Sequence, residues 1–402
     1  MNLLTDYQAD GRCTMRDEMT ELSRINFDEA TSGLKTVREA VDFLEENARI
    51  RTFREKLEKF YAGDDLRKML VEGLCGNHPD MNRDSVERRV RGWLNDSSRS
   101  IRKGDAIEIC FILKLSLEDA DRFVAMVSEE ALHWRNPDEI VYIFALKQGM
   151  TYPEAQKLNE EMASLMKGVK EEKKVDGNSL TTLIRSEVTE LQTKEELAEY
   201  LREAAPRLGR CHNNAYRLFM DMLGSLEHPV LDEGISEAEL FDSERLTVRD
   251  ILREYLYEKN VLYAKEQIRS SKKKEGKLKE EDRKVFSTIQ ENVSEHWPDE
   301  VSLSKMRSRK TDVTRKVLIL LFLATDTGYD WDDDFEDEPD QDEVFEDLYQ
   351  RINDMLLLCG FSTLDPRVPF DWLILYCICV PDIFEADARM KEIFREMYGE
   401  RA

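Results

Sequence analysis

Apolar residues recur at helical spacing along almost the whole of this chain, and that periodicity leaves little room for anything but helices. Leu34, Val37, Ala40, Val41 and Leu44 make one stripe; Ile140, Val141, Ile143, Phe144 and Leu146 make another. No series of alternating β-branched strands interrupts them. Only 10 Pro and 17 Gly punctuate 402 residues, set among long runs of Glu, Lys, Leu and Arg. The expected fold class is all-α, and the length allows two or three domains.

The punctuation predicts the division. Residues 1–50 read as an N-terminal helical extension, polar to about residue 30 and frayed at its start, with a helix over Thr31–Asn47. Helices follow at Arg51–Tyr61 and Leu66–Leu74, then a loop at Cys75–Arg83. Pro137 opens a helix that Gly149 ends, and Thr151-Tyr-Pro-Glu154 starts one reaching about Val169. The charged stretch Lys167–Asn178 marks a boundary between a domain at 51–166 and a helical domain at 179–402. That second domain has candidate helices at 179–191, 193–204, 211–226, 246–258 and 260–270. Ser270–Lys284, rich in Lys and Glu, reads as a solvated helix or linker. The acidic stretch at 329–347 reads as a loop, without the Asp-x-Asp-x-Asp-Gly spacing of a calcium site. Glu346–Leu358, Asp371–Val380 and Ile383–Tyr398 are the closing helices, with a proline-punctuated loop at Phe361–Phe370.

One segment points at a ligand. In Asp84–Leu94, Val86, Val90, Trp93 and Leu94 share a helical face, and Asp84, Ser85, Arg88 and Arg91 lie opposite with Arg89 on the flank. An Asn-Asp-Ser-Ser turn leads into a basic corner, Arg99-x-x-Arg102-Lys103. A second apolar helix carries Ala106, Ile107, Ile109, Cys110, Phe111 and Leu113. Ser116-Leu-Glu-Asp119 then supplies a capping-box start for a third.

The string Val90-x-x-Trp93-Leu94-Asn95-x-x-Ser98-x-x-Ile101-Arg102-Lys103, followed by Leu113-x-Leu-Ser-Leu-Glu-x-Ala-Asp121, resembles the Cro/repressor-type (xenobiotic-response-element) helix-turn-helix family. It is similar to divergent versions in bacterial transcriptional regulators, many of them on mobile elements. The resemblance covers roughly a fifth of the chain. It implies Asp84–Leu94 as recognition helix, Ile101–Leu113 as support and Leu117–Val127 as the closing helix. It also implies duplex DNA as partner and a two-fold homodimer. Arg88 and Arg91 would then reach guanine edges, with Arg89 in the same cluster and Ser85 near the helix start. Arg99, Arg102 and Lys103 would hold the backbone. The bland reading is an exposed helix whose arginines pair with Asp84 and Glu87.

Net charge is −25, which sits badly with a nucleic-acid partner, but it is unevenly spread. Asp330–Asp347 holds twelve acidic and no basic residues, whereas Arg83–Lys103 holds seven Arg/Lys against three Asp/Glu. The face presented to phosphates governs binding. Seven scattered cysteines suit reduced thiols, and MNLLTDYQADGR has no apolar signal-like run. The longest apolar runs, Val317–Ala324 and Trp372–Val380, are too short for a span of about twenty residues. A cytoplasmic protein with no membrane partner is expected.

Catalytic signals are thin. Five histidines are far apart, Cys377-x-Cys379 sits in an apolar helix, and no phosphate-loop motif occurs, so no enzyme activity, metal or cofactor is expected. The leading expectation is a sequence-specific DNA-binding transcriptional regulator whose C-terminal helical half dimerises, senses a signal or takes a protein or peptide partner. The competing one is a non-catalytic adaptor with a helix-turn-helix-like fold that does not bind DNA. A last feature is an echo: Arg315-Lys316 precedes an apolar helix as Arg102-Lys103 does. The spacing to the following Phe differs (Phe322 against Phe111), so it only hints at internal duplication.

Overall fold

A computed structural model describes residues 19–33, 35–95, 101–165, 178–227, 246–256, 288–325, 341–380 and 385–398. Among them are nineteen α-helices and no strand, so the fold class is all-α. In chain order, α1 is Glu21–Thr31, α2 Val37–Glu46, α3 Phe53–Glu58, α4 Leu66–Asn77 and α5 Arg83–Asn95. Next come α6 Lys103–Leu113, α7 Leu117–Ser128, α8 Pro137–Lys147 and α9 Tyr152–Leu165. Then follow α10 Asn178–Glu190, α11 Lys194–Ala204, α12 Asn213–Glu227, α13 Val248–Glu254, α14 Thr288–Ser294 and α15 Glu300–Arg307. The chain closes with α16 Arg315–Thr325, α17 Gln341–Leu358, α18 Pro369–Ile378 and α19 Glu385–Tyr398.

Two apolar cores organise these helices, and they divide the chain differently from the expected 51–166 and 179–402. One core gathers Phe53 through Met162 and then continues across the charged stretch into Ile184, Val188, Leu197, Leu201 and Leu208. The other joins Phe27, Ala30, Ala40, Val41 and Leu44 to residues from Ala215 to Tyr398. The hairpin α10–α11 therefore packs on α8 and α9, and the N-terminal hairpin α1–α2 packs on α18 and α19. Apolar stripes find the nearest complementary face whatever their position in the chain, and here each hairpin covers the body on the far side of the charged boundary.

The two cores share one plan. The pairings α6·α7, α6·α9, α7·α8 and α8·α9 reappear as α16·α17, α16·α19, α17·α18 and α18·α19. Polar anchors repeat as well, the residues of the two bodies at one offset in numbering and those of the exchanged hairpins at another. Leu132 N donates to Asp121 Oδ1 at 3.1 Å, and Leu364 N to Asn353 Oδ1 at 2.8 Å. Arg135 Nε donates to Arg207 O at 3.0 Å and Arg367 Nε to Arg49 O at 2.7 Å. Gly209 N and Arg51 N return bonds to Arg135 O and Arg367 O, both at 2.9 Å. Both exchanged hairpins enter their second helix through a Thr-x-x-Glu capping box, Thr36 with Glu39 and Thr193 with Glu196. An isolated antiparallel bridge, Glu130 with Phe361, stitches matching loops of the two halves together.

Several local expectations change. α1 forms in the polar stretch where no helix was expected, because Phe27 packs edge-on to Phe345 and Tyr349 at 5.8 and 5.7 Å. α4 runs three residues beyond Leu74, so the loop expected at Cys75–Arg83 contracts to His78–Asn82. Residues 341–347 of the acidic stretch are helical, opening α17, since Phe345 is buried. The rest of that stretch, most of the 167–178 boundary, the helix expected at 260–270 and Ser270–Lys284 lie outside the described residues.

Candidate functional site

α5 is held by its apolar side. Val86 and Val90 are fully buried, and the helix packs on α3 and α4. Its outer face carries Arg83, Asp84, Arg88 and Arg91, all exposed. Arg88 stays on the surface, its Nε 3.3 Å from Asp84 O and one terminal nitrogen 3.3 Å from Ser85 Oγ. These are weak contacts that a stronger acceptor displaces. Arg91 makes no bond among the described residues.

Arg89 and Lys103 have other duties. The Arg89 guanidinium pairs with Asp105 at the start of α6 and lies 4.7 Å over the Trp93 ring, which explains why Trp93 is only half-buried. Lys103 turns inward, 3.1 Å from Glu139 and 3.6 Å from Glu130, with 17% of its side chain exposed. Both therefore tie helices together. Arg99 lies outside the described residues, and Arg102 is exposed at the N-cap of α6.

Lys103 leads to a feature that sequence reasoning missed. Its counterpart in the other half is Arg315, which makes a bidentate pair with Asp371 at 2.7 and 2.8 Å and donates to the carbonyls of Ser362 and Thr363. Both members are about 97–98% buried, yet every polar atom is met. The two basic helix starts open onto one cleft of about 320 Å³ between the cores. Lys56, Arg102, Lys103, Arg315, Lys316 and Arg367 line it, against Glu129, Glu130 and Glu295. Most of these cations are already engaged: Arg367 with Glu55 at 2.8 Å, Lys316 with the carbonyl of Val293 at 3.0 Å.

Lys56 is the exception. It stands on the buried side of α3 with 8% of its surface exposed, and its ammonium has no hydrogen-bond or ion-pair partner among the described residues. Burial pulls its pKa down, opposed by the carboxylates of Asp365 and Glu129. The sequence signal was a lysine falling on the stripe Phe53, Leu57, Phe60. Burial likewise raises the Glu130 carboxyl, and Lys103 opposes it.

Across the junction a second cavity of about 500 Å³ is lined by His133, Trp134, His212 and Asp354 among others. The imidazoles of His133 and His212 stack with centroids 3.9 Å apart, and His212 Nδ1 lies 2.7 Å from Asp312 Oδ2. Burial, and then the charges of His212 and Lys103, hold His133 well below the usual imidazole range. The thiols Cys377 and Cys110 are pushed up by burial and Cys359 to about 12, so they stay protonated. No helix among the described residues is long and apolar enough to cross a membrane. No protein-family model, no curated protein and no solved structure matches this chain.

Proposed function

We propose that the protein is a DNA-binding regulator that reads duplex DNA through α5. The observation that carries this reading is the outer face of that helix, where Arg88 and Arg91 stand exposed beside Ser85 while Val86 and Val90 anchor the opposite side. The five-residue connection His78–Asn82 supports it, being within one or two residues of the three- or four-residue turn of a helix-turn-helix. Arg83 extends the basic face by one turn, with Glu87 at 3.2 Å as its local partner. Arg89 and Lys103 act as struts in this arrangement, Arg89 tying α5 to α6 and Lys103 tying α6 to α8. The acidic remainder orients the basic face towards DNA. A two-fold homodimer would place two copies of α5 about one helical turn apart.

The test is fluorescence anisotropy with fragmented genomic DNA at about 50 and 200 mM salt. Wild-type binding should weaken steeply with salt, and Arg88→Ala/Arg91→Ala should lose roughly 1–3 kcal/mol per lost base contact. A second reading, a helical adaptor without DNA binding, draws on the diversion of Arg89 and Lys103 into internal ion pairs. Absence of DNA binding at both salts, with a basic partner co-purifying, would leave that one standing.

A further inference from the structure

We propose that the cleft between the two cores binds a small phosphate-bearing molecule, its phosphate seated on the Lys56 ammonium between the first turns of α6 and α16. The inference is independent of the α5 reading, which uses a different face. Three observations converge on it. First, Lys56 lines the cleft at 8% exposure with no bonded partner among the described residues, although carboxylates stand near enough to act on it electrostatically. An ammonium in so enclosed a place, with no anion bonded to it, is disfavoured, and an anionic ligand in the cleft relieves that.

Second, two eleven-residue helices begin at the cleft. Arg102 provides no side-chain cap to α6. At α16 the Thr314 hydroxyl reaches only Val317 N, at 3.4 Å. The uncapped first turn of α6 and the weakly capped first turn of α16, each at the positive end of a helix dipole, thus border the same cleft, the arrangement that receives phosphate. Third, Arg102 stands exposed at the cleft wall with no bonded partner among the described residues, a fork-shaped donor set that matches phosphate oxygens.

The size of the ligand follows from the walls. About 320 Å³ is the lower end of small-molecule pockets. Lys56 lies too deep between the cores for a duplex backbone to reach. The engaged cations fix the frame: Arg315 is held by Asp371, Lys103 by Glu139 and Arg367 by Glu55. The carboxylates of Glu129, Glu130 and Glu295 share the lining, so a ligand with a hydroxylated or cationic body beside its phosphate fits better than a bare polyanion.

The experiment is calorimetric titration of the full chain with inorganic phosphate and with pyrophosphate, using citrate at matched ionic strength as the carboxylate control. Saturable phosphate or pyrophosphate binding is expected, weakened about tenfold or more in both Lys56→Met and Arg102→Ala, which corresponds to about 1.4 kcal/mol per tenfold. Lys56→Met keeps an unbranched apolar stem one atom shorter and removes the ammonium with its charge and donors. Should it fail to fold, Arg102→Ala still decides, because that side chain is exposed. Mass-spectrometric acetylation of wild type adds a second readout: pyrophosphate should protect Lys56. The proposal is overturned by any of three results. These are no saturable phosphate or pyrophosphate binding by wild type, undiminished binding in the variants, or citrate binding as tightly as pyrophosphate.

Discussion

Single side chains at the junction set how the molecule responds to pH and to truncation. His133 is buried against His212 with its imidazole held well below its ordinary pKa. The unfolded chain, with a histidine near 6.5, therefore binds the proton more readily than the folded one. Stability from this residue is complete above about pH 6.5 and is lost as pH falls below it. Thermal melts between about pH 7 and pH 5 should show a steeper fall for wild type than for His133→Gln; parallel curves would refute this assignment. The buried Arg315–Asp371 pair behaves differently. Asp371→Ala strands a guanidinium at 3% exposure and should cost about 3–5 kcal/mol in urea unfolding. Glu139→Ala, opposite the more accessible Lys103, should cost clearly less. A cost for Asp371→Ala no larger than that of Glu139→Ala would contradict the reading.

At the scale of elements, close approach matters more than capping. α4 packs on α6 where Gly73 meets Ile112, and a Cβ built on that glycine would fall 2.5 Å and 2.7 Å from Ile112 side-chain carbons. Gly73→Ala should therefore destabilise by about 1–3 kcal/mol through overpacking, against a gain of up to 1 kcal/mol in helix propensity. Gly76→Ala, with nothing within 4 Å, should show only the gain. Denaturant midpoints of the two variants should move in opposite directions. Element types and most positions were legible in the sequence, because periodicity and caps are local: α7, expected at Leu117–Val127, ends at Ser128, and Pro137 opens α8. What was not legible is tertiary. Nothing local told that Arg89 and Lys103 turn towards Asp105 and Glu139, since a charged residue on a helix flank reads as solvent-facing until its neighbour is known. Lys56 differs: its place on the stripe Phe53, Leu57, Phe60 was visible in the sequence, but the cleft it lines was not.

At the scale of the whole molecule, the repeated plan was only hinted at and the hairpin exchange went unread, because the matches are polar anchors rather than apolar runs. Arg-x-Pro-x-acid recurs at Arg135–Glu139 and Arg367–Asp371, and a Thr-x-x-Glu box leads to an aromatic-Leu pair at Phe43-Leu44 and Tyr200-Leu201. The visible echo, Arg102-Lys103 with Arg315-Lys316, is one residue out of register, since Lys103 corresponds to Arg315 by its acidic partner. The core partition makes a direct forecast. A fragment of residues 51–166 lacks Ile184, Val188, Leu197 and Leu201, and should unfold without a cooperative transition. One of residues 51–211 should unfold cooperatively in urea. Equal behaviour of the two fragments would refute the partition.

The reciprocal hairpins also impose a timetable on synthesis. α10–α11 emerges from the ribosome after the body it covers, α8 and α9, and can dock at once. α1–α2 emerges first, yet its seat, α18 and α19, ends the described chain. At about 5–20 residues per second the first hairpin waits on the order of twenty to seventy seconds, with Phe27, Val41 and Leu44 uncovered. Of the described helices, the two made earliest are thus seated only after the last, and the nascent chain is the stage at which a chaperone has something to hold.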